Sequence, residues 1–483
     1  MDFQNQIKKA NDFILNHQAQ VKKDNYPSYH LAAPYGWVND PNGFCYALGH
    51  YHLFYQHYPY EAKWGPMHWG HAISDDLIHW QHQPVALAPS EPFDKDGCFS
   101  GSAIEHDGKL YLIYTGHVWL KEPGNDNFIR EVQCLAVSED GVHFEKLGVI
   151  IEPPEGVMHF RDPKVFKEDD HFALVVGARY PGDEARVLKY VSPDLKTWSL
   201  KTSILTAPQQ EAFMYECPDT FPLDGQYVVA VSPMGLKPEG IARNNPSISS
   251  YAVSTDPEHF DPRSLCEIDH GQDYYAPQSM QAPDGRRIMI AWQTMWKLPF
   301  ASYEDNWCGM FTLPREVTLQ DGRLIQKPVR EVASLYKKMQ EIGTVNLEND
   351  TYRLKKQCKP CYLHLCIKGG QSFETAGVNF GDFATLYLDR QHQELTLLRK
   401  EKGFFSPRSM KLDLQRDLTL DIYVDYSSLE IFVNDGEDTF SCTFYNGKRK
   451  DLHLFAHNGK VEFTAVKLCG LKDVLRQQKM PQM

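Results

Sequence analysis

Short apolar runs recur along the first part of the chain, and each run follows a turn residue at a nearly constant spacing. The turn residues lie 59, 62, 55 and 60 residues apart, at Gly49, Gly108, Asp170, Gly225 and Gly285. The apolar runs that follow them cover residues 51–55, 110–114, 172–176, 227–231 and 288–292. A period of this length is sufficient for one four-stranded propeller blade. The pattern therefore predicts a five-bladed β-propeller.

A second repeat follows the same period. It begins with Ser and carries an aromatic residue six places later, and its copies start at Ser74, Ser138, Ser192 and Ser254. Steps of 64, 54 and 62 residues separate these copies, as in the first series. No clean fifth copy is present, so the last blade, which ends near residues 307–317, must close differently or has diverged.

The pattern changes after the repeats. From about residue 344 the chain alternates apolar and polar positions, as in ATLYLD and LHLFAH, with turn residues at Asn434–Gly436. This alternating pattern predicts a C-terminal β-sandwich over residues 344–483. Residues 329–342 have helical spacing without Gly or Pro, so a helical linker is expected over 329–343. The predicted fold is all-β, with an N-terminal helical extension over 1–28 and the propeller over 29–328.

Composition excludes several classes of partner. The chain has 483 residues and a formal net charge of -13, so an anionic membrane or a nucleic acid would be repelled over most of the surface. No apolar run approaches the roughly 20 residues that a membrane span needs, and no signal-peptide pattern is present. Eleven cysteines without regular spacing are typical of reduced thiols. We therefore expect a cytoplasmic protein without nucleic-acid or membrane partners.

Metal binding is not indicated by the candidate motifs. Cys358 and Cys361 form a CxxC pair without a second pair of ligands. His68 and His71 lack the spacing and the glutamate of a helical zinc site, which favours packing or hydrogen bonding. Neither a metal nor a cofactor is expected.

Three acidic residues lie eight or nine residues before their turns. They are Asp40 in WVNDPNG, Asp162 in FRDP and Glu216 in YECP, whereas Ser100 and Ala276 lie at this position in the other two copies. Equivalent strands of a propeller bring these positions to one mouth of the channel. Gathering three acids there costs free energy through repulsion and desolvation, which indicates a functional use. Glycoside hydrolysis needs one ionised and one protonated carboxyl group.

Each motif also has an ordinary structural interpretation. WVNDPNG is rich in turn residues, Arg161 and Asp162 could form an ion pair, and Glu216 could simply end a strand. The shared position in the repeat favours the functional interpretation over three independent coincidences. Nearby aromatic residues could pack against a sugar ring, although most aromatic residues in a propeller belong to its core; they are Trp37, Trp64, Phe99, Tyr275 and Trp292.

The ordered set of motifs resembles glycoside hydrolase family 32, which includes invertases, fructan hydrolases and bacterial sucrose-6-phosphate hydrolases. The resemblance runs from WVNDPNG through KWGPMHWGHAIS, FSGS, FRDP, YECP, DYYAPQ and TLPRE to the sandwich strand VDYSSLEIFVN. It implies a propeller followed by a sandwich and a retaining β-fructofuranosidase without a cofactor. Asp40 would be the nucleophile, Glu216 the acid and base, and Asp162 a stabiliser of the transition state. The implied substrate-binding residues are Asn39, Gln56, Trp64, Phe99, Ser100, Arg161, Asp273, Tyr275 and Trp292.

The resemblance leaves the substrate open. Sucrose 6-phosphate, sucrose and short fructooligosaccharides are all candidates, with bacterial sucrose-6-phosphate hydrolases as the most similar subgroup. A fructan exo-hydrolase, a fructosyltransferase, a non-catalytic sugar-binding propeller and a protein-interaction scaffold are the alternatives. A homodimer through the sandwich is also open.

Overall fold

The computed structural model describes residues 2–209, 211–296, 301–355, 360–401, 404–445, 451–476 and 478. These residues form an all-β protein with one α-helix, Phe3–His17, which begins where Asp2 accepts a hydrogen bond from the Gln4 N–H group at 3.2 Å. Ala10 and Ile14 on one face of this helix are buried, and the helix lies within the predicted N-terminal extension over 1–28. Short 3-10 helices cover Gln18–Gln20, Pro262–Ser264, Ala301–Asp305, Arg330–Leu335 and Asn434–Gly436.

Five small antiparallel sheets precede the C-terminal part. Sheet 1 contains Gly36–Ala47, His50–Tyr58, His68–Ser74 and Trp80–Leu87. Sheet 2 contains Gly97–His106, Lys109–Trp119, Ile129–Ser138 and Glu145–Ile151. Sheet 3 contains His159–Glu168, His171–Tyr180, Glu184–Ser192 and Ser199–Thr206. Sheet 4 contains Met214–Leu223, Gln226–Met234, Ser250–Ser254 and Cys266–Glu267, and sheet 5 contains Tyr275–Gln281, Arg287–Trp292, Arg315–Gln320 and Arg323–Pro328.

The sheets follow both repeats. Every predicted turn residue lies between the first and second strands of its sheet, and every predicted apolar run lies on a second strand. The four repeated serines end the third strands. At Ser74 the hydroxyl donates to Asp76, whose Oδ1 accepts the N–H groups of Ile78 and His79 at 3.0 and 2.8 Å. This polar turn explains why the second repeat begins with Ser and continues with an acid.

The first strands of the five sheets contact one another in a closed cycle, in which the first strand of sheet 5 contacts that of sheet 1. The chain after Arg287–Trp292 leaves sheet 5 before it returns. On the way, Trp307–Cys308 adds a parallel strand beside Gly36 and Trp37 in sheet 1. This excursion precedes the third strand of sheet 5, Arg315–Gln320, which ends at Gln320 where the other four third strands end at Ser.

Two six-stranded sheets form the C-terminal sandwich. One has the order Gln340–Glu348, Lys460–Gly470, Cys361–Ile367, Leu418–Val424, Ser428–Val433 and Asp438–Thr443. The other has the order Thr351–Lys355, Leu452–His457, Thr375–Phe380, Ala384–Asp389, Glu394–Glu401 and Phe404–Lys411. Their apolar faces share one core that includes Leu365, Leu386 and Ile431. The predicted turn at Asn434–Gly436 connects two antiparallel strands.

The predicted helical linker over 329–343 is wrong for most of its length. Only Arg330–Leu335 is helical, as a 3-10 helix, and the strand Gln340–Glu348 begins within the predicted range. Val329, Val332 and Leu335 are buried at intervals of three residues, the period of a 3-10 helix rather than an α-helix.

A buried polar network joins the sandwich to the five sheets. Arg315 binds Asp269 at 3.0 Å and Glu430 at 2.7 Å, and all three side chains are buried. Glu430 also contacts His30, whose other ring nitrogen lies 2.9 Å from Asp425. Burial opposes the charge on His30, but these two carboxylates raise its pKa to about 9. The network therefore ties both halves of the chain together through paired charges.

Candidate active site

Every first strand has a β-bulge at the place where its motif lies. The regular pairing shifts after Val38, Phe99, Arg161, Glu216 and Tyr275 in sheets 1 to 5. A bulge bends a strand and changes the direction of its side chains. In four of the five strands a proline, which has no N–H group for the ladder, lies in or directly after the bulge. The repeated motifs thus place polar side chains at one end of five adjacent strands.

The three acids do not occupy one identical strand position, so the prediction of a shared register is wrong in detail. Glu216 precedes its bulge, Asp162 is the first residue inside its bulge, and Asp40 is the second. Asp162 has a φ of 69°, in the left-handed region. The local backbone, rather than strict equivalence, brings the three carboxyl groups together.

Cys217 and Ser100 connect two of the acids. Ser100 Oγ donates to Asp40 Oδ2 at 2.7 Å, and the Cys217 N–H group donates to Asp162 Oδ2 at 2.9 Å. Cys217 Sγ lies 3.6 Å from each of these two carboxylate oxygens. The buried Asp40 Oδ1 has no hydrogen-bond partner among the described residues. One oxygen of Asp40 is therefore held in place, while the other is buried with its hydrogen-bonding capacity unused.

Glu216 is held from two sides. Arg161 donates to Glu216 Oε1 from Nη2 at 2.7 Å and from Nε at 3.1 Å. The hydroxyl of Tyr275 donates to Glu216 Oε2. These contacts fix the plane of the carboxyl group, as acid catalysis at a defined atom requires.

The electrostatic environment raises the pKa of two of the acids. Burial, with the charge of Glu216, raises the pKa of Asp40 to about 6 despite the hydrogen bond from Ser100. Burial, with the charges of Glu216 and Asp40, raises the pKa of Asp162 to about 8 although Arg161 opposes the shift. The cluster therefore retains a proton near neutral pH, a condition suited to acid–base chemistry.

Glu131 is a site residue that sequence reasoning missed. It lies on the third strand of sheet 2, where the repeat places no motif. Its Oε2 accepts hydrogen bonds from the Phe160 N–H group at 2.8 Å and from Arg161 Nη1 at 3.3 Å, and its Oε1 lies 3.3 Å from His117 Nδ1. Burial opposes its charge, but Arg161 and His117 lower its pKa to about 2. The strand around it reads IREVQCLAVS, in which Arg130 and Gln133 are also polar, so its sequence does not single out Glu131.

Aromatic side chains surround the acids, but few are exposed. Trp64 is 42% exposed and lies edge-on to Phe99, with ring centroids 6.2 Å apart. Phe99 stacks on His117. Trp37 is buried, and its indole N–H donates to Asn39 Oδ1 at 2.7 Å. The accessible apolar surface for a sugar is thus provided by Trp64 and Phe99.

Gln56 lies in the same region as the acids. It is buried opposite the bulge of sheet 1, and its Nε2 donates to the Cys98 carbonyl at 3.0 Å. This bond links the first strand pair of sheet 1 to sheet 2.

Two predicted substrate-binding residues have other surroundings. Asp273 is fully buried against the sandwich, where its Oδ2 accepts from Arg399 at 2.7 Å and from the Thr443 N–H group at 2.6 Å. Asp273 is therefore an interface residue, which corrects the prediction of a sugar contact. Trp292 is also fully buried and packs behind Trp37, so it has no surface to offer a ligand.

The described part of the chain shows neither a metal-binding cluster nor a membrane-spanning helix. No group of three or more His, Cys, Asp or Glu residues is arranged to hold a metal ion there. Cys358, one half of the CxxC pair, lies outside the described residues. His68 bonds to the Pro66 carbonyl and His71 lies 3.0 Å from His52, as expected for packing histidines. None of the described helices has the length and apolar character of a membrane span.

Comparisons with known proteins agree with the motifs. The family models "Glycosyl hydrolases family 32 N-terminal domain" and "Glycosyl hydrolases family 32 C terminal" match residues 30–328 and 352–469. The chain is 45% identical over 446 residues to a sucrose-6-phosphate hydrolase of Escherichia coli, covering 90% of this chain and 92% of that protein. It is also 45% identical to a raffinose invertase of Escherichia coli, with coverage of 91% and 94%. A family 32 beta-fructofuranosidase structure from Bombyx mori is similar with a TM-score of 0.85 at 31% identity, covering 98% and 99% of the two chains.

Proposed function

The chain belongs to glycosyl hydrolase family 32, and from this premise we propose that it is a retaining β-fructofuranosidase that hydrolyses sucrose 6-phosphate and sucrose. It is a glycoside hydrolase. The observation that carries the proposal is the cluster of Asp40, Asp162 and Glu216 on the first strands of sheets 1, 3 and 4, with Asp40 Oδ1 buried in it without a hydrogen-bond partner among the described residues. Water is the second substrate, and no cofactor takes part.

The five sheets are proposed to be the five blades of a propeller. Two observations support this arrangement: the closed cycle of first-strand contacts and the parallel strand Trp307–Cys308, which links the end of the cycle to its beginning. Closure of this kind removes exposed strand edges at the centre of the molecule. The acids then lie at one mouth of the central channel.

In the proposed reaction Asp40 Oδ1 attacks C2 of the fructosyl unit. The bond from C2 to the bridging oxygen breaks as Glu216 donates a proton to that oxygen, and a fructosyl ester forms on Asp40. Glu216 then removes a proton from the water that hydrolyses this ester. Asp162 binds ring hydroxyl groups and stabilises the transition state. Two successive displacements retain the configuration at C2.

The structure of the site suggests how protons are supplied. Arg161 donates a hydrogen bond to Glu216 before substrate binds. The raised pKa of Asp162 means that a proton is already present in the cluster near neutral pH. Movement of this proton to Glu216 on substrate binding would give Glu216 the proton that it donates to the bridging oxygen.

The proposed fructose-binding residues are those that surround the acids. Trp64 and Phe99 offer aromatic faces, and buried polar groups beside the acids would bind hydroxyl groups; the polar groups are Asn39, Gln56, Ser100, Arg161 and Tyr275. Asp273 and Trp292 are omitted from this set because the structure buries them elsewhere.

A sugar phosphate as substrate has a consequence for location. A phosphorylated sugar is charged and does not cross a membrane unaided, so we infer that the protein works in the cytoplasm where such a substrate is made. The acidic surface, with its formal charge of -13, leaves nucleic acid and anionic membranes unsuitable as partners. A homodimer through the sandwich is a further proposal, which analytical ultracentrifugation tests.

The substrate is tested by initial rates at limiting concentration, with sucrose 6-phosphate and sucrose run in parallel on purified protein. We expect both to be cleaved and the phosphorylated sugar to have the higher kcat/KM. Cleavage of neither sugar would contradict the proposed function. A lasting excess of free glucose over free fructose at high sucrose would instead identify a fructosyltransferase, because the ester on Asp40 would be passing to a sugar.

A further inference from the structure

Two basic side chains meet beside the catalytic acids without an acceptor between them. His159 begins the first strand of sheet 3, two residues before Arg161, and pairs in register with Arg179 on the second strand. Arg161 Nη1 lies 2.9 Å from His159 Nδ1, and Arg179 Nη1 lies 3.4 Å from His159 Nε2. Both ring nitrogens of His159 therefore face a guanidinium group.

The three side chains alone cannot satisfy the hydrogen-bonding groups that meet here. A guanidinium group only donates hydrogen bonds, so His159 Nδ1 must accept from Arg161. A neutral imidazole then carries its hydrogen on Nε2. That N–H group faces Arg179 Nη1, which is another donor. Two donors thus converge at 3.4 Å, and one oxygen of an anion beside this pair, at hydrogen-bond distance from each nitrogen, would accept from both.

Other contacts hold Arg179 in this orientation. Its Nε and Nη2 donate to Asp183 Oδ1 at 2.9 and 2.6 Å, and its guanidinium group lies 5.0 Å above the ring of Phe213. These contacts occupy one edge and one face of the group and leave Nη1 directed at His159. The side chain of Arg179 is partly exposed, so a ligand can reach it from solvent.

The position of this pair relative to Glu216 identifies the part of the substrate that it would meet. Glu216 protonates the bridging oxygen in the proposed reaction, so the leaving glucosyl unit extends away from Asp40 past Glu216. Arg161 contacts Glu216 through Nη2 and His159 through Nη1, so His159 and Arg179 continue from Glu216 along one line of contacts on sheet 3. A glucosyl unit that leaves past Glu216 along this line would bring its phosphate to His159 and Arg179.

We propose that His159 and Arg179 form the site that binds the phosphate group of sucrose 6-phosphate and thereby favours this sugar over sucrose. The inference rests on the proposed β-fructofuranosidase function and assigns its preference for a phosphorylated substrate to named residues. A phosphate oxygen beside the two donors receives a charge-assisted hydrogen bond from each, and Arg161 adds a second positive charge nearby.

The test compares Arg179→Gln with Arg186→Gln as a matched control. Arg186 lies on the third strand of sheet 3 opposite Ala178, is partly exposed and pairs with Glu184. It carries the same charge in the same region, and its ion pair and its packing over the Tyr180 ring direct it away from His159. For wild type and both variants, kcat/KM is measured with sucrose 6-phosphate and with sucrose.

We expect Arg179→Gln to lower the ratio of kcat/KM for sucrose 6-phosphate over sucrose by about tenfold or more, mainly through KM, since hydrogen bonds to charged groups contribute that much. Arg186→Gln should change the ratio by less than about twofold. Binding of glucose 6-phosphate, measured by calorimetry, should weaken by a similar factor in Arg179→Gln and not in the control.

Three outcomes would overturn the inference. A wild-type protein that cleaves both sugars with equal kcat/KM has no phosphate site, although it would still be a β-fructofuranosidase. If the ratio of kcat/KM values is unchanged in Arg179→Gln, including the case in which both sugars lose activity equally, then Arg179 does not bind the phosphate. Failure of the wild-type protein to cleave either sugar would overturn the proposed function and this inference with it.

Discussion

Replacement of Glu131 by Gln tests how the site holds its charges. Glu131 is buried beneath Arg161, and its carboxylate accepts hydrogen bonds from Arg161 and from the Phe160 N–H group. Gln has nearly the same shape but no charge. The variant therefore removes the ion pair on the inner side of Arg161 and leaves Glu216 as the only carboxylate bonded to this guanidinium group among the described residues.

The magnitude follows from the pKa of Glu131. Its ordinary value is 4.5 and the folded value is about 2. The difference is about 2.5 units, and at 1.36 kcal/mol per unit the charged form contributes about 3 kcal/mol to the free energy of unfolding. The folded pKa is depressed, so this contribution is complete above pH 4.5 and is lost as the pH falls towards 2. At pH 3.5 about 2 kcal/mol should remain.

The assay is urea unfolding followed by circular dichroism at pH 7 and at pH 3.5. Glu139→Gln is the control, because Glu139 lies at the end of the same strand, is exposed and pairs with Lys109 at the surface. The control should lose much less stability than Glu131→Gln, because solvent screens an exposed ion pair. Glu131→Gln should lose about 3 kcal/mol at pH 7, and kcat for sucrose should fall because Arg161 no longer holds Glu216 as firmly.

Two results would refute this reasoning. Equal losses of stability in Glu131→Gln and Glu139→Gln would show that the buried pair contributes no more than a surface pair. A difference from wild type that stays constant or grows between pH 7 and pH 3.5 would show that the effect does not come from the charge on Glu131.

Two further predictions concern the acid cluster and the sandwich interface. Burial raises the pKa of Asp40 to about 6, so kcat/KM for sucrose should fall as the pH drops through 6. Ser100→Ala removes a hydrogen bond that lowers this pKa. In the pH profile of this variant, the fall in kcat/KM on the acid side should therefore occur at a pH about one unit higher. A fall at the same pH as in wild type would contradict the role of Ser100. Arg315→Met leaves two buried carboxylates without their partner and should cost about 3 to 5 kcal/mol in urea unfolding. Exposed Arg330→Met should cost less than about 1 kcal/mol, and equal losses in the two variants would contradict the importance of the network.

Much of the architecture follows from patterns that the sequence displays directly. The turn at Gly49 and the apolar run after it predict a hairpin, and four more copies predict its repetition. Alternation in residues 384–389 and 452–457 predicts two sandwich strands whose observed bounds are identical. These features are local, because they depend on turn residues and on the two-residue period of a strand.

Features that depend on distant contacts could not be predicted. Residues 329–342 look helical, but burial of Val329, Val332 and Leu335 between the sheets and the sandwich selects a 3-10 helix. Asp273 lies within a motif that resembles a substrate-binding segment, yet its partners Arg399 and Thr443 are far away in the sequence. Tertiary contacts determine the helix type and the surroundings of Asp273, and no local sequence pattern predicts those contacts.

The active site likewise combines features that follow from local sequence with features that depend on distant contacts. The motifs identify Asp40, Asp162 and Glu216, because each lies beside turn or bulge residues in a repeat. The bulges themselves, which set the relative positions of these acids, depend on pairing with the second strands. Glu131 could not be assigned because its function depends on Arg161, a residue of the neighbouring sheet.

Asp40→Asn provides the most direct test of the central claim that carboxyl groups on the first strands carry out glycoside hydrolysis. Turnover of sucrose 6-phosphate and binding of the same sugar are measured on this variant, with Asp170→Asn at an exposed turn as the control. We predict that Asp40→Asn folds, binds the sugar within about threefold of wild type and loses turnover by about a thousandfold or more, while the control keeps full activity. Substantial turnover in folded Asp40→Asn, or an equal loss in the control, would contradict the proposed mechanism.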